Sequence, residues 1–506
     1  MTKQYICDAK SARMADQKAI QEIGIPSLVL MENAAQAIAR AVLELNPGSV
    51  NILCGPGNNG ADGLAVGRIL CENGQDVSFT IDENRLSDDE KIQLDIVKSL
   101  NLPVHGFEDF DEKKKTGLII DALFGNGLSR DLEEPWISRI KQINTTDAPV
   151  LSIDLPSGID ANTGEIRGAA VQSDLCVALD CLKWGHVLKE GRASAPHTII
   201  ADIGIPAHLH EQDPDSVVLM NEEIAADFLP QRPLNANKGT FGKVLMAGGS
   251  LAMQGALSLA AKAAAKSGCG TLTCFTPEPS AKCIASKFDL AMMIPAAADE
   301  EGFFDISAKD ELANRITPFT QLACGNGMGQ GMGARGVLET VLAAGKPAVI
   351  DADGINLLAT REDGCPQDLP LILTPHVLEF SRLIHQPLDN VLTHPLTLAR
   401  DWAEKHPQAV IVLKSDWTLI VQDRKAILIN EPNSALAKGG SGDVLCGIIT
   451  GLSAMKMDPF KAGALGAWIH NRCAKKALSP FSFTPEDLID NLPQTFHDIE
   501  ETKNQC

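Results

Sequence analysis

The sequence predicts an α/β protein built from two doubly wound units, and three observations carry that expectation. Short apolar runs recur along the chain, most of them ending in glycine, asparagine or aspartate, with helical spacing between many of them. At 506 residues the chain is too long for one ordinary core. Between residues 204 and 222 the periodicity lapses into an acidic, proline-containing segment that reads as a linker near 212. The expected units are therefore 1–212 and 220–506.

Bulk composition narrows the function classes. Hydrophobic residues make up 44% and charged residues 22%, the balance of a globular protein with a packed core. A net charge of −21 disfavours nonspecific nucleic-acid binding, so a polyanionic ligand must be held locally by backbone N–H groups and a few lysines. Thirteen cysteines occur without a zinc-knuckle spacing; Cys176/Cys181 and Cys269/Cys274 stand five apart. They read as reduced thiols of a cytoplasmic protein. The N-terminal stretch is too polar for a secretory leader, and no apolar run approaches the roughly 20 residues that span a bilayer, so no membrane association is expected.

In the first half, residues 11–45 carry apolar groups at helical spacing. Val50–Cys54 reads as a strand, followed by the turn Gly55–Gly63 and a helix over Leu64–Asn73. A strand, a glycine-rich turn and a helix present a ligand site at a strand's carboxyl end. The turn is neither a G-x-G-x-x-G fingerprint nor a P-loop; its doubled asparagine, Asn58 and Asn59, with Asp62 offers amides and oxygens to an ion or sugar. The strands Gly117–Ile120 and Val150–Ile153 lead into Asp121 and Asp154. One aspartate at a strand end is commonly a turn former. Three such loops in one parallel sheet should bring Asn59, Asp121 and Asp154 to a single rim. Strands follow at Asp174–Leu179 and Thr198–Asp202. Lys183, after a strand, is placed to steer a phosphate, but such a lysine is more often merely solvated, so it ranks below the carboxylates. His208 and His210, in the linker, have no further ligands nearby in the sequence, which argues against a metal role.

The second half repeats the alternation. Its strands are expected at Lys243–Ala247, Thr271–Phe275, Gln321–Cys324, Ala348–Ile350, Leu371–Leu373, Val410–Leu413, Leu419–Val421 and Ala426–Ile429, with a small-residue helix over Gly255–Lys266. The decisive stretch follows. Gly439, Gly440, Ser441 and Gly442 precede Asp443 and an apolar helical run (Val444, Leu445, Ile448, Ile449). Glycines before a helix let N–H groups converge under the positive end of its dipole, which makes an anion cradle. A carboxylate there repels phosphate unless it moves a proton at a nearby hydroxyl.

This stretch closely resembles the signature of ribokinase-like proteins, and among them the ADP- or ATP-dependent NAD(P)H-hydrate dehydratases. The loops of the first half resemble, in order, the Rossmann-like NAD(P)H-hydrate epimerase domain. The resemblance implies that Asn58, Asn59, Gly60, Ala61 and Asp62, with Gly125, Asn126, Gly127, Leu128, Ser129, Arg130 and Asp131, hold the epimerase substrate beside the catalytic Asp154. It also implies a potassium ion held by Asn59, Asp121 and Ser157. In the second half, Ala256, Gly327, Gly329, His376 and Asp443 would line the hydrated nicotinamide nucleotide, with Asp443 catalytic. Lys414, Ser415, Asp416, Trp417 and Thr418, together with Gly439, Gly440, Ser441 and Gly442, would hold ADP with Mg2+.

Four positions, in three loops, depart from the family. Ala61 stands where glycine is usual, and a positive φ there would cost alanine about 1 kcal/mol. Val377 and Leu378 replace a Pro-Gly before Glu379, and Ser415 replaces a glycine. The implied activity is repair of hydrated NADH and NADPH (NADHX and NADPHX): epimerisation at C6 in the first unit, then ADP-dependent dehydration of the S form in the second. Related enzymes suggest a homo-oligomer. The competing expectation is a small-molecule kinase fused to a non-catalytic interaction module.

Overall fold

A computed structural model describes residues 3–83, 86–110, 116–128 and 130–505. The chain forms two compact units that part between Val218 and Leu219. Among the described residues no helix is long and apolar enough to cross a membrane.

Seven parallel strands form the sheet of the first unit. In chain order they are Ser49–Cys54, Asp76–Ile81, Val104–His105, Leu118–Ala122, Val150–Ile153, Leu175–Leu179 and Thr198–Ala201. Across the sheet the third lies outermost, then the second, the first, the fourth and onward in sequence. The winding direction therefore reverses between Ser49–Cys54 and Leu118–Ala122, and a doubly wound sheet opens its ligand crevice at that reversal. Residues 11–45 do not form one helix. A helix at Ala9–Lys18 continues as a π turn over Ala19–Ile23, and Gly24 at φ 86° stops it before Ser27–Leu45 begins after Pro26. Ala34, Ala35, Ile38 and Val42 of the second helix pack into the core with Ile52 and Leu64.

The helix expected from Leu64 begins earlier and covers Asn58–Glu72. Ala61 therefore lies inside a helix and is absent from the non-glycine residues with positive φ, so the expected strain does not arise. Tyr5–Cys7 pairs in parallel with Leu182–Lys183 outside the seven-stranded order. The segment near 212 holds a short helix, His208–Glu211, and a strand, Val217–Leu219.

The second unit repeats the winding with nine strands. Lys243–Ala247, Thr271–Pro277, Ala291–Ala296, Gln321–Cys324, Ala348–Ile350, Leu371–Leu373 and Val410–Lys414 are parallel, and the hairpin Thr418–Gln422/Lys425–Ile429 closes antiparallel. The reversal here falls between Lys243–Ala247 and Gln321–Cys324. Small residues bring the helices Gln254–Lys266 and Ser441–Ala454 together: a Cβ on Gly447 would stand 2.1 Å from the Ala260 carbonyl oxygen.

Candidate active sites

In the first unit the reversal crevice holds a cavity of about 630 Å³. Asn58, Asn59 and Asp62 of the helix Asn58–Glu72 line it, as do Gly125–Leu128 and Arg130 of the loop after Leu118–Ala122, and Asp154 and Lys183. Gly60 and Ala61 lie buried in the helix, outside the lining. Asp131 is exposed and lies 3.6 Å from Arg167, also outside it. Ser129 lies outside the described residues.

Asp154 follows Val150–Ile153 and sits at φ 65°. Its carboxylate accepts from Lys183 Nζ at 2.6 Å, from Asn126 N at 3.2 Å and from Leu179 N at 3.3 Å. Burial alone would raise its pKa, but Lys183 outweighs that and holds the carboxyl below the usual range. Lys183 is only 2% exposed and is capped by the Leu179 and Cys181 carbonyls, so the solvated lysine expected from sequence is instead a buried counter-ion in the site. His186 secures the pair from behind. Lys183 N–H donates to its Nδ1 at 3.0 Å, and its Nε2 lies 2.6 Å from the Asp154 carbonyl oxygen, which assigns the proton to Nε2. Burial and Lys183 push this imidazole down to about 4. Asp62 goes the other way: burial, then the Asp154 charge, raise its carboxyl well above the ordinary range. One cavity thus presents two carboxyls pushed in opposite directions.

Asp121 sits lower than a common rim would require. It is fully buried and accepts from Ser157 N, Ser157 Oγ, Ser152 Oγ and Leu123 N at 2.6–3.2 Å. Ser157 Oγ in turn accepts from Phe124 N at 2.8 Å, beneath the loop that carries Gly125. Above it, Asn59 Oδ1 and Asp154 Oδ2 flank Gly125, 3.1 and 3.2 Å from where its Cβ would stand. Asn59 Nδ2 is buried without a hydrogen-bond partner, the mark of a site that a ligand completes. Of the three residues expected to hold an ion, Asp121 and Ser157 bond to each other beneath the Phe124–Gly125 loop, while Asn59 stands beside Gly125.

In the second unit Asp443 lies in the first turn of Ser441–Ala454, behind Gly440 at φ 98°. Asn326 bridges two carboxylates: its Nδ2 lies 2.8 Å from Asp443 Oδ1 and 3.0 Å from Asp351 Oδ2. Asp351 also accepts from Thr374 Oγ1 at 2.7 Å and Lys414 Nζ at 3.2 Å. Burial and the Asp351 charge push the Asp443 carboxyl up to about 6. Burial also brings Glu379 to about 7. Lys414 Nζ stands 3.4 Å from where a Gly442 Cβ would be, which adds a cation to the helix N-terminus. Asn326 and Asp351 are not singled out by the sequence; Asp351 follows its strand just as Asp154 follows its own, and that is the available signal.

Ala256 meets Gly327, whose added Cβ would lie 3.0 Å from that of Ala256. Gly329 N donates to Asp353 Oδ2 at 2.9 Å. His376 caps the helix Val377–Leu383: its Nδ1 accepts from Leu378 N and Glu379 N, and its own N–H donates to Glu379 Oε2 at 2.9 Å. Val377 and Leu378 thus occupy an ordinary first turn. Ser415 N donates to the Trp417 carbonyl in the hairpin, where φ is not positive, so serine is unstrained there. Asp416 is exposed, Trp417 is 3% exposed, and Thr418 opens the next strand. Of this stretch, Lys414 is the side chain brought beside Gly442.

Comparisons with known proteins agree with both halves. The NAD(P)H-hydrate dehydratase family model matches residues 244–494, and the model of the YjeF-related protein N-terminus matches 27–185. The bifunctional NAD(P)H-hydrate repair enzyme of Moorella thermoacetica is 32% identical over 517 residues, covering 98% of this chain and 97% of the relative. The Salinibacter ruber enzyme of the same description is 31% identical, covering 97% and 95%. A crystal structure of the Bacillus subtilis ADP/ATP-dependent NAD(P)H-hydrate dehydratase, co-crystallised with ATP and Mg2+, is 30% identical with a TM-score of 0.50, covering 56% of this chain and 98% of that one. Two family models in order, and relatives matched over nearly the whole length, establish that the chain belongs to the bifunctional NAD(P)H-hydrate repair enzymes, which join an epimerase to a dehydratase.

Proposed function

We propose that the two halves act in sequence on hydrated NADH and NADPH, with Asp154 and Asp443 as the catalytic groups. The hydrate carries a hydroxyl on C6 of the reduced ring. The ring-nitrogen lone pair expels it, and loss of a C5 proton restores the dihydropyridine. The barrier lies in the departure of hydroxide, so a proton must reach the leaving oxygen. The observation that carries this reading is the Asp443 carboxyl held at about 6 beside an anion cradle, since such a group donates and accepts protons near neutrality. The Ser441–Ala454 helix N-terminus and Lys414 would receive the nucleotide phosphates. Magnesium would arrive with those phosphates and neutralise their charge.

In the first unit, Asp154 would accept or return the proton as C6 inverts by reversible loss and re-addition of water or by ring opening. Asn58, Asn59, Gly125–Leu128 and Arg130 would bind the nucleotide around it. A potassium ion held by Asn59, Asp121 and Ser157 would fix the Phe124–Gly125 loop electrostatically. We place the enzyme in the cytoplasm as a homo-oligomer; buried free thiols such as Cys54, Cys274 and Cys446 support a reducing compartment, and the oligomer rests on the family resemblance.

One assay tests the whole reading. The near-ultraviolet absorbance of reduced nicotinamide should return from an epimer mixture when ADP is present and not without it. A phosphorylated small molecule formed from ATP, with no recovered NADH, would favour the kinase alternative.

A further inference from the structure

The first unit contains a set of soft ligands that neither half-reaction uses. Cys7 closes the strand Tyr5–Cys7, Cys181 precedes Leu182–Lys183, and His210 lies in the short helix His208–Glu211. Their ligand atoms all lie within 4.8 Å of one another, and all three side chains are buried: both cysteines at 0% exposure and the histidine at 3%. The imidazole is held from several sides. Asp180 Oδ2 is 2.8 Å from Nε2, Ser216 Oγ is 3.3 Å from Nδ1, and the Tyr5 ring stacks on it at 4.9 Å. A nearby carboxylate is the usual outer partner of a metal-bound imidazole.

We propose that Cys7, Cys181 and His210 form a structural site for a thiophilic divalent ion, zinc by preference, that fastens the N-terminal strand to the segment carrying Lys183. The sulfurs stand 3.2 Å apart. Tetrahedral thiolates with Zn–S bonds of about 2.3 Å stand about 3.8 Å apart, so loading asks the pair to part by about 0.6 Å. A disulfide at about 2.05 Å would need roughly twice that movement in the opposite direction, and it gives the histidine nothing to do. On binding, the two thiols lose their protons to solvent and the ion takes two thiolates and a neutral imidazole. Water completes four-coordination, while Asp180 stays on the far nitrogen of the imidazole. The three ligands are 174 and 29 residues apart in sequence, so no spacing motif announces them.

The test uses the full chain expressed with zinc, dialysed against metal-free buffer and assayed by plasma mass spectrometry. About one zinc per chain is expected, falling at least tenfold in Cys7→Ser, Cys181→Ser and His210→Ala but not in Cys283→Ser. Urea unfolding of the first unit, followed in the same preparations, reports that each variant has folded. Cobalt loading of the unmutated chain should give a thiolate charge-transfer band and tetrahedral d–d absorption. Zinc absent from the unmutated chain, zinc unchanged in the three variants, no cobalt–thiolate band, or a Cys7–Cys181 disulfide in a non-reducing peptide map would each overturn the proposal.

Discussion

Asp154 and Asp443 are the same side chain in opposite electrostatic settings. Both are largely buried at the carboxyl end of a doubly wound sheet, close to where its winding reverses. Asp154 has a lysine at 2.6 Å and is held below the usual carboxylate range. Asp443 has a neutral amide at 2.8 Å and a second carboxylate behind that amide, and it rises to about 6. The lysine of the second site, Lys414, pairs with Asp351 instead. Burial works upward on both groups, so the partner decides the outcome. An aspartate fixed as its anion suits reversible proton abstraction. One raised to about 6 keeps a protonated fraction at neutral pH and suits delivery of a proton to a departing hydroxyl.

Removing the titrating group from the second site gives the largest expected effect. Asp443→Asn should slow dehydration by about a hundred- to ten-thousandfold while nucleotide binding, followed by equilibrium dialysis, is retained. Weakened binding with normal turnover would make Asp443 part of the cradle only. Lys183→Met attacks the contrast from the other side. It strands a buried carboxylate, so the first unit should lose about 3–5 kcal/mol in urea unfolding, with any surviving epimerase newly dependent on pH as Asp154 titrates upward. An unchanged unfolding midpoint would show that the pair is solvated after all.

Acid stability should expose the buried imidazoles of both units. His186 and His470 are each held at about 4, below the ordinary value near 6.5, so folding favours the neutral ring. Their contribution is complete above pH 6.5 and is lost as pH falls toward 4, by roughly 3 kcal/mol for each ring. Asp154, with a depressed folded pKa, gives up its own contribution only at lower pH, below the ordinary carboxylate value. Unfolding midpoints at pH 7 and pH 5 should therefore differ, and His186→Gln should flatten the difference in the first unit. The smallest effect is at Ala61. Restoring the family's glycine there should cost up to about 1 kcal/mol of stability and leave the epimerase KM unchanged, because the position is helical.

Much of this arrangement was legible before any coordinates. The strands Lys243–Ala247, Gln321–Cys324, Ala348–Ile350 and Leu371–Leu373 stand where apolar runs bounded by glycine, aspartate or threonine put them, because parallel strands covered on both faces are continuously apolar. Ala291–Ala296 was missed: it is mostly half-exposed and ends in Pro-Ala, so no run stood out. The break at Gly24–Pro26 carried its signal in plain view, but helical periodicity on either side masked it. Lys183 was misjudged for a different reason. A lysine after a strand reads the same whether it is solvated or buried, and its partner lies 29 residues away. Asn326 joins Asp351 to Asp443 across 117 residues, and only the folded sheet brings those loops together. Local pattern fixes strands and turns; counter-ions come from packing.

A single progress curve tests the division of labour. Give Asp154→Asn an equal mixture of the C6 epimers with excess ADP and Mg2+, and follow the absorbance of reduced nicotinamide. The absorbance should rise quickly through the S half and then continue only at the rate of epimerisation in plain buffer, whereas the unmutated chain runs to completion. If Asp154→Asn consumes both halves as fast as the unmutated chain, the first site does not work through Asp154.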